Sequence, residues 1–289
     1  MDIRGRRRST NIEDRRGMRV GRPVVGIGLG GLAIMLVLSL LGINPLPFMA
    51  GLQEAQQQNP QMEPTGQPYQ EGEEESALRE MTEVVLADTE DTWSELLPAY
   101  RVDYQAPRLV LFNDAVQSEC GGASAASGPF YCPLDHKVYL DMSFYRDLHQ
   151  RFGAPGDFAQ AYVIAHEVGH HVQNLVGTAG EVRAAQEQVG QGQAANDLSV
   201  RMELQADCFA GVWAATAQRS RQLLSAGDVE EALGAASAIG DDRIQRQTQG
   251  NVVPDTFTHG SGEQRQRWFL QGYKTGRPED CDTFNARTL

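Results

Sequence analysis

Hydrophobic and polar positions divide the chain into four stretches. Residues 1–23 show no apolar period and are crowded with arginine, so they read as a disordered basic tail. From Val24 to Ile43 twenty residues pass without a charge (VVGIGLGGLAIMLVLSLLGI), the length at which a helix spans a bilayer core. A cleaved signal peptide is the competing reading, but the run is long for one and Met49-Ala50-Gly51 makes a poor cleavage site. Residues 44–75, rich in Gln, Pro, Gly and Glu, hold too few large apolar side chains for a core and read as a disordered stalk. The folded domain is expected over residues 76–289.

Within that domain Leu78, Met81, Val85, Leu86, Trp93, Leu96 and Leu97 form the apolar stripe of a helix that Pro98 closes. Residues 108–112 (RLVLF) and 137–141 (KVYLD) read as short strands. A helix over Ser143 to Phe152 and a Gly-Pro turn precede a further helix, with Asp157 as N-cap and Gly177 as C-cap. Its first half, Phe158 to Ala165, is mostly apolar and reads as buried. Gly180 to Asn196 is a polar stretch broken by Gln and Gly, and the helical period resumes from Leu198 to about Arg221. A polar loop, Pro254 to Gly262, leads into a last helix beginning at Glu263.

Charge narrows the function classes. The chain carries −13 overall; residues 1–23 hold eight Arg against three acids, a net +5, which leaves −18 on residues 24–289. An acidic body argues against nucleic acid as a partner, which needs a basic footprint. Eight arginines precede the apolar run and the next basic residue after it is Arg79, so the expected orientation is single-pass, with the N-terminus cytoplasmic and the domain periplasmic or extracellular. That compartment permits disulfides. Cys120 and Cys132 bracket a Gly/Ala/Ser loop and suit a hairpin disulfide; a zinc ribbon would need Cys-x-x-Cys pairs, and the chain has none. Cys208 and Cys281 are then left as a second pair by elimination.

Candidate chemistry centres on Ala165-His166-Glu167-Val168-Gly169-His170-His171. His166 and His170, four apart on a helix, present two imidazoles on one face, as a divalent cation requires when two ligands come from one element. Glu167 falls where it reaches a metal-bound water without chelating beside them, the His-Glu-x-x-His pattern of zinc peptidases. His171 faces about 100° away from His170 and is left out of the metal shell. A third ligand is needed for a catalytic zinc. The metzincin extension would put Gly at 173 and His at 176, where this chain has Gln173 and Val176. Glu203 and Asp207, also four apart on a helical face, supply the alternative: Glu203 as ligand, Asp207 to accept the free ring N–H of a ligand histidine. The bland reading of that pair is a solvated carboxylate face neighbouring Arg201.

These two motifs, with Gly128-Pro129-Phe130-Tyr131-Cys132-Pro133 and Thr258-His259-Gly260-Ser261, resemble the neutral zinc metallopeptidase family of bacteria over roughly Ser76 to Phe284. They also look like the wider gluzincin arrangement, in which the Glu of Glu-x-x-Ala-Asp binds zinc. The resemblance implies an α+β, mostly helical zincin-like domain with a small sheet, preceded by the transmembrane helix. It implies Zn2+ as cofactor and a peptide or protein as substrate. It further implies that His259 stabilises the oxyanion, that Arg265, six positions on, contacts substrate or oxyanion, and that Val138 to Leu140 is the edge strand pairing with substrate. The expected function is membrane-anchored peptide-bond hydrolysis with Glu167 as general base. The alternatives are a catalytically silent, zinc-stabilised binding module and an amidase acting on cell-wall peptides.

Overall fold

A computed structural model describes residues 1–20, 62–64 and 69–289. The chain opens with β1 (Ile12–Asp14) and β2 (Met18–Val20) and resumes with β3 (Met62–Pro64). Next come α1 (Glu73–Leu96), β4 (Arg108–Phe112), the hairpin β5 (Ala115–Ser118) and β6 (Gly121–Ser124), then β7 (Phe130–Cys132) and β8 (Lys137–Asp141). Helices complete it: α2 (Ser143–Gln150), α3 (Asp157–Leu175), α4 (Thr178–Val189), α5 (Gln193–Arg221), α6 (Asp228–Ala238), α7 (Asp241–Gln249) and α8 (Gly262–Thr275).

The main sheet runs β1-β4-β8-β7, parallel except for β7, with Leu109 opposite both Ile12 and Val138, and Tyr139 opposite Phe130. Both faces of β4 and β8 are buried, as their continuous apolar runs require. Leu109, Leu111, Val138 and Leu140 face the helices, whereas Val110, Phe112 and Tyr139 close a small core with Val116 under the β5–β6 hairpin. A disulfide joins Cys120, at the tip of that hairpin, to Cys132 of β7. Because β8 lies between β4 and β7, Val138 and Tyr139 offer no free backbone edge; among the described residues the sheet's edge strands are β1 and β7.

α3 is the central helix. It is buried along nearly its whole length, in keeping with its apolar composition all round. Its entry uses Gly156 rather than Asp157 as cap, because the backbone there has φ 118°, a region that favours glycine. Two close helix crossings position the site. A Cβ at Gly169 of α3 would lie 2.9 Å from the carbonyl oxygen of Ala206 in α5. A Cβ at Gly272 of α8 would overlap the carbonyl of Cys208, again in α5. The second disulfide, Cys208–Cys281, ties the C-terminal tail to the same helix.

The N-terminal residues are not a free tail. β1 pairs with β4, and the Leu109 amide donates to the Asn11 carbonyl (2.8 Å). Arg7 pairs with Glu90 (2.8 Å). The Arg16 side chain, 2% exposed, is held by Asp14, Glu71 and Glu75 over the ring of Tyr69. The arginines that made this stretch look like a solvated tail are ion-paired largely with carboxylates of α1 and its approach, partners that local composition does not reveal. Glu71 and Glu75 themselves fall in the stretch read as a stalk, and α1 starts at Glu73 rather than at residue 76. Among the described residues no helix is long and apolar enough to cross a membrane. The expected span over 24–43, and most of the 44–75 stalk, lie outside the described residues. Gly180 to Asn196, read only as polar, is largely helical, as α4 and the start of α5.

Candidate metal centre

Three helices converge on one point. α3 contributes His166, Glu167 and His170, α5 contributes Glu203 and Asp207, and α8 contributes Arg265. The ring Nε2 atoms of His166 and His170 lie 3.2 Å apart. The Glu203 carboxylate stands 3.1 Å from the first and 3.3 Å from the second. Ligands of a tetrahedral zinc, each about 2.0–2.1 Å from the metal, stand roughly 3.3 Å from one another. The spacing fits.

The hydrogen bonds behind the histidines fix which atoms face the centre. His166 Nδ1 lies 2.8 Å from Asp207 Oδ1, a carboxylate that only accepts, so Nδ1 carries the proton. His170 Nδ1 lies 2.8 Å from Gln173 Oε1. The Gln173 amide nitrogen donates to the Met202 carbonyl (2.7 Å) and to Gln205 Oε1 (3.1 Å), so its oxygen must be the acceptor and His170 Nδ1 the donor. Both Nε2 atoms therefore present lone pairs to the same point as the Glu203 carboxylate. Three converging acceptors in a buried place repel one another unless a cation lies between them. Burial works against charge on His166, yet Asp207 and Glu203 outweigh it and push the ring up to about 10. The surroundings favour positive charge at this point. Without metal that charge is a proton on His166; once a cation takes the proton's place, a donor set of two imidazoles and a carboxylate suits zinc.

Asp207 is fully buried and does more than hold His166. It accepts from Tyr162 Oη and from Arg265 Nε and Nη2 (2.9 and 3.0 Å). Arg265, 3% exposed, is paired with Asp207 and also lines the cavity beside His166. Glu167 differs: no hydrogen bond or ion pair engages it among the described residues, and it lines a cavity of about 690 Å3 beside the histidines. The same cavity is lined by Gly128 to Tyr131 at the β7 edge and by His259. His259 Nδ1 lies 3.2 Å from Asp241, which also accepts from the backbone amides of Thr258, His259 and Gly260. The hydrogen bond to Asp241 raises the pKa of His259 against the effect of burial.

His171, left out of the metal shell, points away from it. Its Nε2 donates to the Gln105 carbonyl, and its Nδ1 accepts from Tyr131 Oη (3.0 Å). Asn174 also donates to that hydroxyl (3.1 Å), so α3 holds β7 through one tyrosine. Burial lowers the His171 pKa to about 4 and keeps the ring neutral, although the Gln105 carbonyl opposes this.

Sequence reasoning missed Gln173, Tyr162 and Asp241. The first two had a signal, since Gln173 lies three residues after His170 and Tyr162 four before His166 on one helix. Asp241 had none; it reaches the loop of His259 from the start of α7. A second carboxylate group, Asp157, Asp228 and Glu231, also lies close together, but the Met1 ammonium already sits against Asp157 (2.9 Å) and Asp228 (3.3 Å).

Comparison with known proteins agrees with this geometry. The family described as "Putative neutral zinc metallopeptidase" matches residues 1–284. The chain is 47% identical to the uncharacterized protein YpfJ of Escherichia coli K12, over 98% of this chain and 99% of that one. It is 49% identical to the uncharacterized protein Rv2575 of Mycobacterium tuberculosis H37Rv, over 68% of this chain and 67% of that one. No solved structure matches it significantly. From its N-terminal strand to the tail beyond α8, the chain belongs to the neutral zinc metallopeptidase family, whose cofactor is Zn2+.

Proposed function

We propose that the protein is a zinc-dependent peptidase that hydrolyses peptide bonds by a water-borne attack, with Glu167 as general base. The observation that carries this is the pairing of a fixed three-acceptor centre with a neighbouring carboxylate, Glu167, that has no partner among the described residues and faces the cavity. Structural zinc sites close their coordination with four protein ligands and have no use for such a group. This disfavours the silent binding module.

His166, His170 and Glu203 hold the metal, with Asp207 and Gln173 fixing the two imidazoles. Bound there, zinc supplies Lewis acidity toward a water and a substrate carbonyl. Glu167 takes the proton of the attacking water and delivers it to the leaving nitrogen as the carbon–nitrogen bond breaks. His259, oriented by Asp241, donates to the carbonyl oxygen as charge develops on it. The free edge of β7 takes the role first assigned to β8: Gly128 to Tyr131 offers backbone groups to an extended peptide laid along the cavity. Arg265 holds Asp207 beside the cavity. Residues 24–43 are proposed to attach the protein to a membrane, and the two disulfides suit an oxidising compartment.

The test is metal content together with cleavage of casein and a peptide library by the full chain. Wild type and Glu167→Gln should each hold one zinc, and the variant should lose about 10²–10⁴-fold in turnover, the contribution of a general base. His166→Ala should lose metal and turnover together. Zinc bound with no cleavage by the wild type would remove the peptidase reading and favour the binding module.

A further inference from the structure

The chain is acidic overall, but the cavity beside the metal centre is not. Glu167 and Glu203 are the only carboxylates that line it among the described residues, and both are committed to the proposed chemistry. Of the lining arginines, Arg265 is neutralised by Asp207. Arg151 and Arg183 are left, both exposed, both lining the cavity, and neither has a carboxylate partner among the described residues. The Arg151 guanidinium lies over the ring of Phe152 (5.2 Å), another lining residue, which keeps the cation against the cavity wall.

Their places in the fold differ. Arg151 lies between α2 and α3, just ahead of the N-terminal end of the metal helix. Arg183 is on α4, which follows the C-terminal end of that helix. His166 and His170 lie between them in the chain, and all four line the one cavity, Arg151 beside Phe152 and Arg183 beside Val182 in sequence. Unpaired like charges on the walls of a cleft raise the local concentration of the opposite charge and select for it.

We propose that the cavity selects peptides carrying acidic side chains on both sides of the cleaved bond, Arg151 receiving one and Arg183 the other. This rests on the peptidase reading for the word "cleaved", but the recognition is separable from turnover. The probes are peptides of one sequence with Asp, Ala or Lys placed on one side or the other of the cleaved bond. They are assayed with the full chain for cleavage by the zinc-loaded wild type and for binding by Glu167→Gln. The wild type should favour Asp over Ala and Ala over Lys on both sides, and the preference should fade as salt rises from about 0.05 to 0.5 M. Arg151→Glu should lower the Asp-to-Lys ratio by roughly fivefold or more on one side only, and Arg183→Glu on the other, as expected for exposed charge pairs. Equal rates for the three peptides would overturn this inference and leave the peptidase standing. Preferential binding of the Asp peptides by Glu167→Gln, with no cleavage by the wild type, would support the inference and remove the peptidase. A preference unmoved by either charge reversal would also overturn it.

Discussion

Gln173 shows how a single side chain sets the chemistry of this centre. Its amide nitrogen is spent on Met202 and Gln205, which forces its oxygen toward His170 and turns the Nε2 lone pair of that ring inward. Asp207 does the same for His166 with a carboxylate, and its charge is balanced by Arg265 rather than by the metal alone. Removing the acceptor behind a metal-bound histidine typically costs 10–100-fold in metal affinity. Gln173→Leu should therefore weaken zinc binding by about that factor in competition with a chromogenic chelator, while His166 keeps its partner. Unchanged affinity would mean that Gln173 does not orient the ring.

At the scale of elements, the site exists because α3 and α5 approach unusually closely. The glycine between the two histidines, Gly169, lies against the backbone of Ala206, which stands between Glu203 and Asp207 in the sequence of α5. Gly169→Ala would drive its methyl into the Ala206 carbonyl at 2.9 Å and force the helices apart. It should cost about 1–3 kcal/mol in denaturant melts of the metal-free protein, as overpacking does, and should weaken zinc binding besides. A stable variant with intact zinc affinity would show that the crossing has slack. The edge strand teaches a related lesson. Pattern alone marked Lys137 to Asp141 as a strand, and it is one, but only pairing reveals that Phe130 to Cys132 covers the outer side of its first three residues, Lys137 to Tyr139.

For the whole molecule, the first twenty residues are part of the domain. Glu13, Asp14 and Glu71 are partly buried, which alone would raise their pKa values. Bonds from Lys137 and Arg15 to Glu13, from Arg16 to Asp14, and from Arg79 and Arg16 to Glu71 outweigh that and hold all three below the usual range. Groups with depressed folded-state pKa values contribute stability that is present above the unfolded value, about 4, and is lost as pH falls through the folded value. Hydrogen exchange should thus show residues 1–20 loosening below about pH 4 while α3 and α5 stay protected; protection unchanged at that pH would deny the ion pairs a structural part. The strand pairing also places residues 1–20 beside the domain, so a cysteine placed at Thr10 and one at Asp255, both exposed, should behave alike toward a membrane-impermeant maleimide on intact cells, both labelled or both protected. Labelling of the second alone would favour the crossing first expected at 24–43.

The sequence by itself determined the parts of the site carried by one helix at a time. His166, Glu167 and His170 follow from a spacing of four on α3, and Glu203 and Asp207 from the same spacing on α5, because a helix turns by a fixed angle per residue. The strands at 108–112 and 137–141 were legible for the matching reason, an apolar run of strand length. Tertiary structure decided everything that joins elements far apart in the chain. It placed Arg265 on Asp207, gave His259 its Asp241, put β7 rather than β8 at a sheet edge, and drew the basic N-terminus into the fold. Local composition records which groups a segment offers; only the packed chain shows which partner each has found, and here partners decided both the charge of the cavity and the state of every imidazole in it.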